Sequence, residues 1–134
     1  MTDKELLALA SEARKRSYSP YSGYSVGAAL LCADGKVYTG CNIENATYTP
    51  TVCAERTAVF KAVSEGNRTF SAIAIVGGRW EEPDGFAPPC GVCRQVLSEF
   101  CDGKTFRVIL TDGETVTSRP LAELLPLSFG SDFL

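Results

Sequence analysis

Leu6, Leu7, Leu9, Ala10 and Ala13 recur at helical spacing within residues 3–17 and predict a first helix with one apolar face. Thr2, followed three residues on by Glu5, supplies a capping-box pattern at its start. Ser19-Pro20-Tyr21-Ser22-Gly23 breaks that helix. Residues 24–32 are small and apolar and read as a strand, Asp34-Gly35 as a hairpin turn, and residues 37–43 as the return strand. After Pro50, a helical run over residues 52–65 ends at Gly66. The unbroken apolar stretch 72–76 reads as a strand covered on both faces. Residues 77–88 form a loop, and a second buried helix over 90–100 follows Pro88-Pro89 and stops at Asp102-Gly103. Strands at 106–111 and 115–117 join through Asp112-Gly113, and a short helix at 120–125 starts on proline. This order predicts a mixed five-stranded sheet with helices on its faces, a single three-layer α/β/α domain over residues 1–134.

Length agrees, since 134 residues fit one domain of ordinary size, ~100–150 residues. With 45% apolar and 22% charged residues, disorder and coiled coil are both excluded as readings. No run approaches the ~18 apolar residues of a membrane span, so no membrane partner is expected. Asp3, Glu5 and Glu12 among the first leucines lack the layout of a secretory signal, which predicts a cytoplasmic protein. A net charge of −3 argues against a nucleic-acid partner.

Histidine is absent, which removes Ser-His-Asp and Cys-His pairs, His-ligated metals and His as general base. Acid–base chemistry near neutral pH must then come from a tuned carboxylate, a thiolate, a lysine or a metal-activated water. Six cysteines, Cys32, Cys41, Cys53, Cys90, Cys93 and Cys101, point in a reducing compartment to metal or redox chemistry. Cys90 and Cys93 open a predicted helix three residues apart, ~60° apart around its axis, so both sulfurs can reach one ion. Alone, that pair reads equally well as a thioredoxin-like redox couple. Cys53 stands at the start of the other predicted helix, and both helix starts can converge at one sheet edge. Three sulfurs leave a tetrahedral zinc one open position, as in catalytic sites; structural zinc and a redox pair are the alternatives. Cys32, Cys41 and Cys101 read as buried free thiols.

Zinc with three thiolates carries a net negative charge that blunts its acidifying power, and Arg56 beside the ligands would restore it. Glu55, two residues after Cys53, is the carboxylate placed for proton transfer. Its plainer reading is a helix N-terminal glutamate favoured by the dipole.

Cys53-Ala54-Glu55 followed by Pro89-Cys90-Gly91-Val92-Cys93 resembles the zinc-dependent nucleoside and nucleobase deaminases. With cysteine as first ligand, the chain is similar to the homotetrameric branch of the cytidine deaminases. The resemblance extends over Pro20-Tyr21-Ser22, Val26-Gly27-Ala28-Ala29-Leu30, Gly40-Cys41-Asn42-Ile43-Glu44-Asn45, Cys53-Ala54-Glu55-Arg56-Thr57-Ala58, Pro89 to Gln95 and Leu124-Leu125-Pro126. It implies one zinc per subunit and deamination of cytidine and 2′-deoxycytidine in pyrimidine salvage, with Glu55 moving the protons. It also implies that Asn42 and Glu44 hold the ribose hydroxyls, and an amide and a carboxylate two residues apart can grip a diol. Tyr24, commonly phenylalanine in the family, would pack on the pyrimidine; the Ala54 backbone and Glu55 would read the base. Tyr48 and Phe129 resemble aromatics that complete active sites at subunit interfaces of a homotetramer, although both read equally well as core aromatics. Two alternatives remain: deamination of another aminopyrimidine nucleoside such as an antibiotic, which Asn42-Ile43-Glu44 disfavours, and a non-enzymatic zinc module or nucleic-acid editor.

Overall fold

The capping box forms at Thr2: the Glu5 N–H donates to Thr2 Oγ1 at 3.1 Å and the Thr2 N–H donates to the Glu5 carboxylate at 2.8 Å. In the computed structural model, which describes residues 1–134, it opens α1 (Asp3–Arg14). There follow β1 (Tyr24–Cys32), β2 (Val37–Cys41), α2 (Ala54–Ser64), β3 (Phe70–Arg79), α3 (Gly91–Phe100), β4 (Arg107–Thr111), β5 (Val116–Pro120) and α4 (Leu121–Leu124). A 3-10 turn, Ser131–Phe133, lies near the end of the chain. No helix is long and apolar enough to cross a membrane.

The strands lie in the order β2-β1-β3-β4-β5; β3 and β4 run parallel and every other pair antiparallel. Residues alternate between two covered faces, as the period of two requires. Leu30, Ile73, Ile75, Val108 and Leu110 pack with Ala58, Val59 and Ala62 of α2 and Leu97 of α3. Ala29, Ala72, Ala74, Val76 and Ile109 meet Leu6, Leu7 and Ala10 of α1 on the other face. The expected three-layer α/β/α arrangement with five mixed strands therefore forms.

Four of the element ends that differ from expectation do so through a long-range pairing. α1 stops at Arg14 rather than 17, because the Tyr18 N–H turns to the Asn42 carbonyl and the Glu44 N–H donates to Tyr18 O. β2 stops at Cys41 rather than 43, because Ile43 pairs with both Tyr18 and Val52. β3 continues through the supposed loop to Arg79, because Tyr24, Ser25 and Val26 pair with Arg79, Gly78 and Gly77. β5 runs on to Pro120, opposite Arg107, and leaves α4 only four residues.

Two glycines set how closely the helices lie on the sheet. A Cβ on Gly27 would fall 2.0 Å from Ala10 O and 2.4 Å from Arg14 N, so α1 rests directly on β1. A Cβ on Gly40 would fall 2.5 Å from Ala54 O and 2.6 Å from Ala58 N, so the first turn of α2 rests on β2. Overpacking of this kind costs ~1–3 kcal/mol, and more where backbone must move. Gly40→Ala is therefore expected to lower stability by at least ~2 kcal/mol in urea unfolding. Gly91→Ala, where a Cβ meets nothing within 4 Å, is the matched control and should stay within ~0.5 kcal/mol of the parent. Equal midpoints for the two variants would refute the close-approach argument.

Candidate active site

Cys53 is the N-cap of α2 and Cys90 the N-cap of α3, both in extended backbone, and neither side chain caps its own helix. Serine or aspartate at such positions would turn inward to an N–H; here the sulfurs stay free. Cys93, one turn into α3 and fully buried, completes a cluster whose sulfur atoms all lie within 4.8 Å of one another. Cys53 and Cys90 are 3.8 Å apart, and Cys90 and Cys93 3.6 Å. A tetrahedral ion with Zn–S bonds of ~2.3 Å spaces its sulfurs ~3.8 Å apart, so the donor set and its dimensions fit zinc. Pro89, just before Cys90, is held by Arg94, whose Nε donates to Pro89 O at 2.7 Å and whose Nη1 donates to Leu124 O at 2.8 Å.

Electrostatics divide the thiols into two groups. The neighbouring Cys93 thiol and then the Arg56 guanidinium hold Cys53 down at about 5, and burial alone opposes them. Proton sharing with Cys53 pushes Cys93 upward. Arg56 Nη2 donates to Cys53 Sγ at 3.3 Å, while its buried Nε has no partner within the chain. Cys32 and Cys101 lie outside the cluster, and burial pushes them up to about 11 and about 12. They and Cys41 are free thiols, although Cys41 and Cys101 are only partly buried.

Glu55, in the first turn of α2, is 4% exposed. Burial pushes its carboxyl up to about 7, against its own backbone N–H, which pulls it down. It faces a cavity of about 350 Å³ that Tyr24, Asn42, Glu44, Cys53, Ala54 and Cys90 also line. Seven sequence-predicted residues of the zinc, base and sugar sites thus meet at one opening, with Cys93 buried behind Cys53 and Cys90 in the thiol cluster. Ser22, Val26, Thr51, Val52, Ala87 and Pro88 line it as well, and none had been singled out. Ser22 and Val26 carry a signal, their places in the Pro20-Tyr21-Ser22 and Val26-Gly27-Ala28-Ala29-Leu30 segments; the others are ordinary apolar or loop residues without one.

Glu44 sits in a prepared cradle. Its Oε1 accepts the N–H groups of Tyr21 at 2.9 Å and Ser22 at 3.1 Å, and its Oε2 accepts the Ser22 hydroxyl. Burial pushes this carboxyl upward, and those bonds outweigh it and hold it below the usual glutamate range. Tyr48 and Phe129 lie away from the cavity. Tyr48 is 71% exposed at φ 65° and meets Tyr21 edge-on at 6.1 Å. Phe129 is 58% exposed and stacked on Phe133 at 5.5 Å. The core-aromatic reading of both is thereby overturned.

Residues 1–109 match the family model described as the cytidine and deoxycytidylate deaminase zinc-binding region. A cytidine deaminase of Sporosarcina psychrophila is 47% identical over the whole of this chain and 96% of its own length. A second, from Halalkalibacterium halodurans, is 46% identical over 98% of this chain and 97% of its own. The crystal structure of cytidine deaminase from Burkholderia pseudomallei superposes with a TM-score of 0.86 at 46% identity, covering 96% of this chain and 100% of that one. The Mycobacterium tuberculosis cytidine deaminase structure gives 0.82 at 39% identity, with 97% and 98% covered. With the cysteine cluster, the buried glutamate and these full-length likenesses in agreement, the chain belongs to the cytidine and deoxycytidylate deaminase family of zinc-binding proteins.

Proposed function

We propose that the protein hydrolyses cytidine and 2′-deoxycytidine to uridine and 2′-deoxyuridine, releasing ammonia. The observation that carries this reading is Glu55, a buried carboxyl facing the same small cavity as the three-thiol cluster. Cys53, Cys90 and Cys93 would hold one zinc per subunit. When bound, zinc supplies a Lewis acid that acidifies water and stabilises negative charge developing at the reaction centre.

In this reading Glu55 takes a proton from the attacking water and delivers it to N3 of the pyrimidine as the water oxygen adds to C4. It then passes the second proton to the exocyclic nitrogen, which leaves as ammonia. Proton delivery in both directions near neutral pH suits a carboxyl that burial has raised to about 7. Arg56 draws charge from the Cys53 sulfur that it hydrogen-bonds. Asn42 and Glu44 hold the ribose hydroxyls, Tyr24 packs against the ring, and the Ala54 backbone reads the base; all four line the cavity. Another aminopyrimidine is not favoured by relatives named cytidine deaminase, and a zinc module without chemistry leaves the buried Glu55 unexplained.

The same reading makes residues 1–134 one domain of a homotetramer with active sites at its interfaces, acting in pyrimidine salvage in the cytoplasm. One continuous sheet supports the single domain, exposed Tyr48 and Phe129 support the interfaces, and six free thiols suit a reducing compartment.

Glu55→Gln is expected to keep one zinc per chain by metal analysis while slowing cytidine turnover by roughly 10²–10⁴-fold; a rate within tenfold of the parent removes Glu55 from the chemistry. Arg56→Ala should weaken activity or zinc retention by roughly 10-fold or more, the size seen when groups supporting metal ligands are lost. Stripping zinc with a chelator should abolish turnover and lower Tm, and zinc added back should restore both. Full activity in metal-free protein would contradict the assignment of the thiol cluster.

A further inference from the structure

The side-chain amide of Asn42 is held at both ends. The Val26 N–H, which can only donate, meets Oδ1 at 2.9 Å. The Tyr24 carbonyl, which can only accept, receives an Nδ2 hydrogen at 2.8 Å. Those two partners allow one orientation of the amide. A second donor, the Ser17 hydroxyl, also reaches Oδ1. Both lone pairs of that oxygen are then engaged.

Behind Ser17 the bonding continues into the fold. Ser17 Oγ lies 3.2 Å from Ser19 Oγ, and Ser19 Oγ accepts the Trp80 indole N–H at 2.8 Å. Ser19 has no exposed surface. An indole nitrogen can only donate, so Ser19 Oγ is its acceptor, and an amide oxygen can only accept, so the Ser17 hydroxyl is the donor to Asn42. Within Asn42, the one polar group left for a ligand is the second hydrogen of Nδ2. Glu44, by contrast, is an acceptor throughout, since the Tyr21 and Ser22 N–H groups and the Ser22 hydroxyl all donate to it.

We infer that Ser17 is a positioning residue for substrate selection: by taking up the second lone pair of Asn42 Oδ1 it leaves the cavity a donor there and no acceptor. The inference rests on the proposed role of Asn42 as a sugar contact. It makes the recognition polar in a defined sense. A bound sugar hydroxyl must accept from Asn42 while its partner donates to Glu44. Ser17 therefore acts through Asn42 on sugar hydroxyls and leaves base recognition and the chemical step alone.

The test compares cytidine with 2′,3′-dideoxycytidine, which lacks both hydroxyls, the latter followed as a substrate and as a competitive inhibitor of cytidine turnover. Ser17→Ala is expected to raise KM for cytidine roughly 5–10-fold, the size of one lost hydrogen bond, with kcat little changed. The KM or inhibition constant of the dideoxy compound should not move. In an Asn42→Ala background, Ser17→Ala should add no further loss. Equal weakening of both nucleosides, a change in kcat alone, or additive losses in the double variant would overturn the positioning role. A parent protein that leaves cytidine unchanged would instead overturn the proposed function itself.

Discussion

The site depends on how closely α2 lies on the sheet. A helix resting on ordinary strand side chains would sit a full side-chain layer above β2, and its N-terminus would carry Cys53 and Glu55 away with it. Gly40 removes that layer under the first turn, where Ala54 O and Ala58 N occupy the space a Cβ would need. Cys53 then reaches within 3.8 Å of Cys90, which comes from a different helix after β3. Gly27 plays the matching part for α1 on the opposite face. Alanine-rich strands continue the same logic, since Ala29, Ala72 and Ala74 lie beneath α1. A thin interlayer on both faces makes the position of each helix end a consequence of backbone contact rather than of flexible side-chain packing.

That placement creates an electrostatic arrangement in which neighbouring residues are driven in opposite directions. Cys53 and Glu55 are two residues apart, yet the thiol is held low by Cys93 and Arg56 while burial raises the carboxyl. A thiolate that persists at neutral pH suits metal binding, and a carboxyl that readily gains and loses a proton suits acid–base work. Helix geometry explains the divergence. Cys53, as N-cap, meets the Arg56 guanidinium three residues on, whereas Glu55 turns into the protein and is nearly sealed from water. Arg56 Nε, buried without a partner in this chain, marks the one polar group whose environment remains incomplete. A negatively charged zinc–thiolate cluster beside it would lower the cost of that burial.

Much of this was legible in the sequence because it is local. Helix starts, turn glycines and the spacing of Cys53, Glu55, Cys90 and Cys93 are short-range signals, and the three sulfurs do meet. What escaped depends on partners far along the chain. The ends of α1 and β2 are set by Tyr18 meeting residues 42–44, across more than twenty positions. The extension of β3 follows from pairing with Tyr24–Val26, which no pattern within residues 77–79 announces. Asn42 and Glu44 were recognisable by resemblance, but no local pattern announces that Ser17, at the end of the expected first helix, and Tyr21 and Ser22, in the segment that breaks it, donate to them. Tyr48 and Phe129 look like core aromatics by residue type, and only the fold reveals their exposure.

The residues proposed for chemistry and those proposed for sugar recognition thus rest on different parts of the molecule. The thiols and Glu55 stand at helix N-termini, where a displaced backbone would disturb all of them together. Asn42 and Glu44 stand beyond the end of β2, outside regular structure; Asn42 is oriented by Tyr24 and Val26 of β1 together with Ser17, and Glu44 by Tyr21 and Ser22 of the segment between α1 and β1. In the proposed reading, substitutions in that segment would alter sugar recognition without moving the zinc ligands. Substitutions under α2 cannot spare either function, because Cys53, Ala54 and Glu55 share one helical turn with both the metal cluster and the cavity wall.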